Sequence, residues 1–229
     1  MSNEKNKKDN DCRDDSLEQI KEMGSVSAFE GRHKIHCLTI IGEIEGHSVL
    51  PEQSKTTKYE HVIPQLVEIE ESKEIEGLLI ILNTVGGDVE AGLAIAELIS
   101  GMTKPTVTFV LGGGHSIGVP LAVAAKHSFI APSATMTVHP VRMNGLMIGV
   151  PQMMNHFERM QERITDFVVR NSSVTAEKFT SLMMNTGEMV TDVGSVLSGE
   201  KAVSTGLIDS LGSLSDVIKC LYDMIESEK

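Results

Sequence analysis

Chemistry is concentrated where Gly112-Gly113-Gly114-His115-Ser116-Ile117-Gly118 joins an apolar, β-like run to a small-residue helix. A serine at such a junction can hold its hydroxyl out at the helix mouth, beside free backbone N–H groups and the positive end of the helix dipole. That setting suits a nucleophile; the plainer alternative is a tight turn whose serine caps the helix. A nucleophilic serine also needs a base to take its proton. Thr137-Val138-His139-Pro140 supplies a histidine at the end of a short strand, near the same sheet edge. His115 adjoins the serine but would point away from it, and His127 falls in a polar turn, so His139 is the favoured base.

These residues need a frame. Gly77 to Leu82 and Thr106 to Leu111 are apolar throughout, as buried parallel strands are, and the helical patterns Val89 to Ile99 and Ile117 to Ala125 follow them. A first strand is expected at Ile35 to Ile41, a loop from Gly46 to Tyr59 and a helix from His61 to Ser72; Phe129 to Ala131 and Met136 to Val138 read as short strands. The alternation predicts an α/β domain with right-handed crossovers. In it, Asn83-Thr84-Val85-Gly86-Gly87 forms a second glycine-rich turn at the same sheet edge as Ser116. Its N–H groups could receive a developing oxyanion, and a side chain there would block the approach. From Pro151 to Asn171, Met153, Phe157, Met160, Ile164 and Phe167 fall on one helical stripe. Met143, Met147 and Met154 add to a methionine-rich, adaptable face.

Composition sets the outer bounds. The 229 residues are 41% hydrophobic and 23% charged, enough for one core with appendages. A formal charge of −12, without a basic block, argues against a nucleic-acid surface. Cys12, Cys37 and Cys220 have no metal-like spacing, so neither a disulfide framework nor a zinc site is expected, and a reducing, cytoplasmic setting is. The first thirty residues are too charged for a signal peptide, and no apolar run of about eighteen residues offers a transmembrane segment. Residues 1–33 read as a disordered acidic arm before a single domain over 34–229. No Walker-type loop is present, so the chain itself does not hydrolyse ATP, and no cofactor is called for.

Four motifs in order carry a resemblance: Asn83 to Gly92, Gly114-His115-Ser116-Ile117-Gly118, Met136 to Pro140, and Ala202 through Gly206-Leu207-Ile208-Asp209. Together they resemble the Clp protease proteolytic subunit family, ClpP, and within it the TepA branch, from about Ile35 to the C-terminus. The resemblance implies a ClpP/crotonase-like β/α superhelical fold with a protruding handle helix, and a serine-type endopeptidase acting on peptides or unfolded proteins inside stacked homo-oligomeric rings. It implies Ser116 as nucleophile, His139 as general base, and the N–H groups of Gly87 and Ile117 as oxyanion hole. It also makes the stripe on 151–171 the handle that interdigitates between rings, rather than a face packed on its own domain. The arm before Ile35 does not resemble the family's axial loops, which leaves dependence on an ATP-driven unfoldase open.

The acid departs from the family pattern. Counting back from Gly206-Leu207-Ile208-Asp209, the family's catalytic aspartate falls on Gly194, which has no side chain. Asp192, two residues earlier, would point to the same side of an extended segment and is the candidate in its place. Asp88, beside the expected oxyanion hole, reads as the N-cap of the following helix. Two alternatives remain at this point: a Ser-Lys peptidase of the signal-peptide-peptidase kind, with Lys126 as the nearest lysine, and a non-catalytic assembly factor that aids secretion.

Overall fold

The computed structural model describes residues 25–28, by backbone alone, and 31–142, 149–187 and 193–228. In chain order the elements are β1 (Ser25–Ala28), β2 (Ile35–Glu45), β3 (Thr56–Lys58), α1 (Tyr59–Glu71), β4 (Gly77–Gly87), α2 (Val89–Ser100), β5 (Thr106–His115) and α3 (Gly118–Val123). They continue as β6 (His127–Ile130), β7 (Thr135–Val138), α4 (Val150–Arg170), α5 (Ala176–Met183), β8 (Ser195–Ser198), α6 (Gly199–Ser204), β9 (Ser210–Leu211) and α7 (Leu214–Ser227). The strands join in the order β1-β2-β4-β5-β6-β9, with β3 beside β2 and with β7, carrying β8, beside β5. From β2 to β9 that path is parallel; β1 and β8 run antiparallel to their neighbours.

The apolar runs explain the centre. Leu78, Leu79, Ile80 and Leu82 are all buried, so both faces of β4 are covered, as parallel crossover sheets require. Leu221 and Ile225 of α7 sit over Gly77, while α1 and α2 pack on β2 and on each other. Among the described residues no helix is long and apolar enough to cross a membrane.

Two expectations about turns are corrected. Neither β4 nor β5 stops at its glycines: β4 runs on through Gly87, and β5 through His115. Without a Cβ these residues let the ladder continue at close approach, and β5 uses them to change partner. Val107 to Val110 pair with β6, whereas Gly113, Gly114 and His115 pair with Thr135, Met136 and Thr137 of β7. The loop expected between Gly46 and Tyr59 also ends early, since Thr56–Lys58 form β3 and α1 starts at Tyr59.

Part of the stretch read as an arm is built into the sheet: β1 pairs with Ile35 to Leu38 along the outer edge of β2. Further along that edge the Thr57 hydroxyl donates to the Ile41 carbonyl and accepts from its N–H, both at 2.9 Å, before β3 takes over at Glu43.

The stripe on 151–171 is a helix, α4, with only Phe167 and Val168 of its 21 residues buried. Its C-terminal half is fastened to α2. Arg163 makes a two-pronged pair with Glu90 at 2.6 and 3.0 Å, and Arg170 reaches Glu97 at 2.8 Å. Exposed pairs of this kind contribute at most about 1 kcal/mol each, but planar guanidinium geometry fixes helix register. Its N-terminal half stands clear, with Val150 and Met154 exposed. Met143 and Met147 lie outside the described residues.

Candidate active site

Ser116 follows the last residue of β5 with φ of +57°, the one non-glycine residue with positive φ among the described residues. Such a conformation costs roughly 1–3 kcal/mol and persists only where its surroundings over-determine it. The surroundings here are visible. Ser116 N–H donates to the Thr137 carbonyl at 2.9 Å, so the serine is tied to the strand that carries His139 two residues later. On its other side Gly86, at φ +99°, comes so close that a Cβ there would lie 2.6 Å from Ser116 Cβ. The buried Thr84 holds that backbone in place, its hydroxyl accepting from Gly86 N–H at 3.1 Å and donating to the Gly42 carbonyl at 2.7 Å.

Ser116, Gly87, Ile117 and His139 line one cleft of about 390 Å³. Its apolar wall is Val119, Ile164, Phe179 and Met183, and Glu43 and Arg142 bring charge to it. Among the described residues no hydrogen bond joins Ser116 to the His139 ring; the two face a shared space. His139 Nδ1–H donates to the Pro140 carbonyl at 2.7 Å. A carbonyl can only accept, so in the neutral ring the proton is on Nδ1 and Nε2 is left as an acceptor.

Other residues singled out in the sequence sort cleanly. Asp88 caps α2, its carboxylate accepting from Ala91 N–H at 2.9 Å. His115 shares a 2.8 Å hydrogen bond with the Thr137 hydroxyl and lies over Gly113. Lys126 belongs elsewhere: its ammonium reaches the Thr103 carbonyl and Glu228, by the start of β5, roughly 30 Å of extended strand from Ser116. Among the described residues the Ser-Lys reading therefore has no lysine at the serine. Gly194 does lie against His139, but at φ +143° a Cβ would fall 2.5 Å from the Val138 carbonyl and 2.9 Å from His139 Cβ. No aspartate fits there on this backbone. Asp192 lies outside the described residues.

Sequence reasoning missed Gln161, whose side-chain oxygen accepts from Val141 N–H at 2.8 Å. The signal was a lone amide set on the apolar stripe, four residues after Phe157 and three before Ile164.

This architecture, a parallel α/β sheet whose splayed branch brings a strained serine and a histidine to one cleft, is that of a ClpP-like protein. Residues 32–214 match the family model described as Clp protease, and the chain belongs to that family. It is 56% identical to the translocation-enhancing protein TepA of Halalkalibacterium halodurans over 93% of this chain and 84% of that protein. A putative protease of Methanocaldococcus jannaschii is 26% identical over 87% of this chain and 73% of its own length. Among solved structures, a ClpP1 mutant from Listeria monocytogenes shares the fold, with a TM-score of 0.64 and 22% identity, covering 80% of this chain and 94% of its own.

Two predictions come from this geometry. Gly86→Ala should displace Ser116 and lower its labelling by a fluorophosphonate roughly a hundredfold, the cost of misplacing a reacting group by about 1 Å; wild-type labelling would show that the close approach is dispensable. The second concerns acid stability. Burial lowers the pKa of His36, against an opposing pull from Glu68, and it lowers that of His115, which His139 depresses further. The folded state therefore favours neutral rings. Their stabilisation is present above the ordinary value of about 6.5 and is lost as pH falls through the lowered folded values. Replacing His115→Asn should flatten the fall in Tm as pH drops below about 6.5, and a fall parallel to wild type would refute the assignment.

Proposed function

We propose that this chain is a serine endopeptidase of the ClpP type, cleaving peptides or unfolded protein segments through an acyl-enzyme in a cytoplasmic homo-oligomeric assembly. The observation that carries the reading is the strained Ser116, bonded to the His139-bearing strand and walled by Gly86. In this reading His139 Nε2 takes the Ser116 proton as Oγ attacks the scissile carbonyl. The N–H groups of Gly87 and Ile117 receive the oxyanion. Collapse of the tetrahedral intermediate passes the proton to the leaving amine. Water then attacks the ester with His139 again as base, releasing the acid and restoring the serine. The hydrogen bond between serine and histidine closes when substrate fills the cleft, as catalytic contacts commonly do. Val119, Ile164, Phe179 and Met183 favour an apolar substrate side chain next to the cleaved bond.

The assembly reading rests on α4. Phe157 and Met160 lie on the apolar stripe of a half-helix that the described residues leave largely uncovered, and a second copy would cover it. A second reading, a protease-shaped factor that assists export by binding, is favoured by the translocation-enhancing name of the Halalkalibacterium relative and by the glycine at 194.

Labelling decides between them. Wild-type protein should react with a fluorophosphonate at Ser116 and hydrolyse a fluorogenic peptide. Ser116→Ala and His139→Ala should each lose as much activity as the double variant, because the two act as one unit. Comparable rates in either single variant would sink the peptidase. For the assembly, Phe157→Glu combined with Met160→Glu should split the particle in sedimentation velocity by placing charge in an apolar contact. An unchanged profile would mean that the stripe serves its own domain.

A further inference from the structure

His139 and Gln161 are bonded to opposite ends of one peptide group. The Pro140 carbonyl accepts from His139 Nδ1–H at 2.7 Å, and the N–H of the same peptide, on Val141, donates to Gln161 Oε1 at 2.8 Å. We propose that Gln161 is a positioning residue for His139, anchoring the Pro140–Val141 peptide so that its carbonyl fixes the tautomer and direction of the imidazole, the orienting part of what a carboxylate does in a Ser-His-Asp triad. The inference rests on reading Ser116 and His139 as nucleophile and base.

Four observations carry it. A backbone N–H can only donate, so the Gln161 amide must present its oxygen to Val141, which fixes the orientation of the amide. Its nitrogen is then buried with no hydrogen-bond partner among the described residues. On an apolar helical stripe a leucine would avoid that cost, so the amide is accounted for by what its oxygen does. Second, a carbonyl is a better acceptor when the N–H of its own peptide is engaged, since aligned hydrogen bonds polarise one another. Third, Gly194 closes the route by which an aspartate at that position would reach the ring. Fourth, α4 is a rigid platform for the anchor, because Arg163, two residues on, is clamped to Glu90.

The test uses the full-length protein, a fluorogenic peptide, and fluorophosphonate labelling of Ser116. Gln161→Leu should lower kcat about tenfold to a hundredfold with KM changed by less than about twofold, since the base is misoriented while the cleft stays open. Gln161→Glu keeps an acceptor oxygen and should recover most of that loss. Its negative charge should also stabilise the imidazolium and move the rising limb of kcat/KM to higher pH. Among the described residues, Glu43, Arg142 and His115 are the charged or titratable groups that line the cleft or couple to the ring, and they are the same in all variants. Asp192→Asn should cost less than about tenfold, well short of what tautomer loss costs a carboxylate-oriented triad.

Wild-type kcat and an unmoved limb in Gln161→Leu would overturn the proposal, as would a glutamate variant no better than the leucine one. A loss of several orders of magnitude in Asp192→Asn would return the role to the carboxylate. If the leucine variant fails to fold, the pH limb of Gln161→Glu decides alone: an upward shift supports the anchor and an unmoved limb rejects it. These outcomes are separable from failure of the peptidase reading, in which wild-type Ser116 would not be labelled at all.

Discussion

One backbone hydrogen bond, from Ser116 N–H to the Thr137 carbonyl, sets the separation on which the site depends. Its net contribution is about 1 kcal/mol, while holding a serine at φ +57° costs about as much or more. The bond cannot sustain that conformation alone. It succeeds because it extends a parallel ladder, Gly113 to Thr135, Gly114 to Met136 and His115 to Thr137, already held by the core below. That ladder exists because β5 outlasts β6 and finds β7 as a second partner. Splitting the sheet at β5 thus supplies both the strain at the serine and the place of the histidine.

The electrostatic character of the site follows from what faces Nδ1. A carboxylate about 5 Å from the centre of an imidazolium would contribute roughly 3 kcal/mol at an effective dielectric constant near 20. A peptide carbonyl fixes tautomer and direction but brings only a dipole, and so leaves more of the developing charge to the rest of the cleft. Where the anchoring peptide orients the base, geometry carries more of the work and countercharge less.

Much of this was legible in the sequence, for identifiable reasons. A short apolar run such as Gly77 to Leu82, bounded by glycines, suits a doubly covered strand, and the stripe ending at Phe167 suits a helix, so the frame and the helix over 151–171 could be read. That Ser116 and His139 lie at one sheet edge, and that Asp88 caps α2, could be read because residue type and local position suffice for such placement. The glycines at 86–87 and 112–114 misled, since glycine marks a turn and a close approach equally well and only partner strands distinguish the two. Lys126 was near in sequence and far in space because a strand of ten residues intervenes between its surroundings and the serine. Gln161 was hidden because its function is to hold a backbone N–H, which no side-chain pattern announces. Asp192, placed by counting back from Gly206, lies outside the described residues.

The outer edge of β2 is closed in three pieces: β1 along Ile35 to Leu38, the Thr57 hydroxyl on both polar groups of Ile41, and β3 from Glu43. An uncovered strand edge is a template for another chain's backbone, and here the template is largely spent on the chain's own residues. Sideways growth of the sheet from this edge into fibres or swapped dimers is thereby discouraged. The segment ending at Ala28 therefore guards that edge. Trimming it through Ala28 for recombinant work would bare four residues of ladder at the margin of the molecule and trade solubility for self-adhesion.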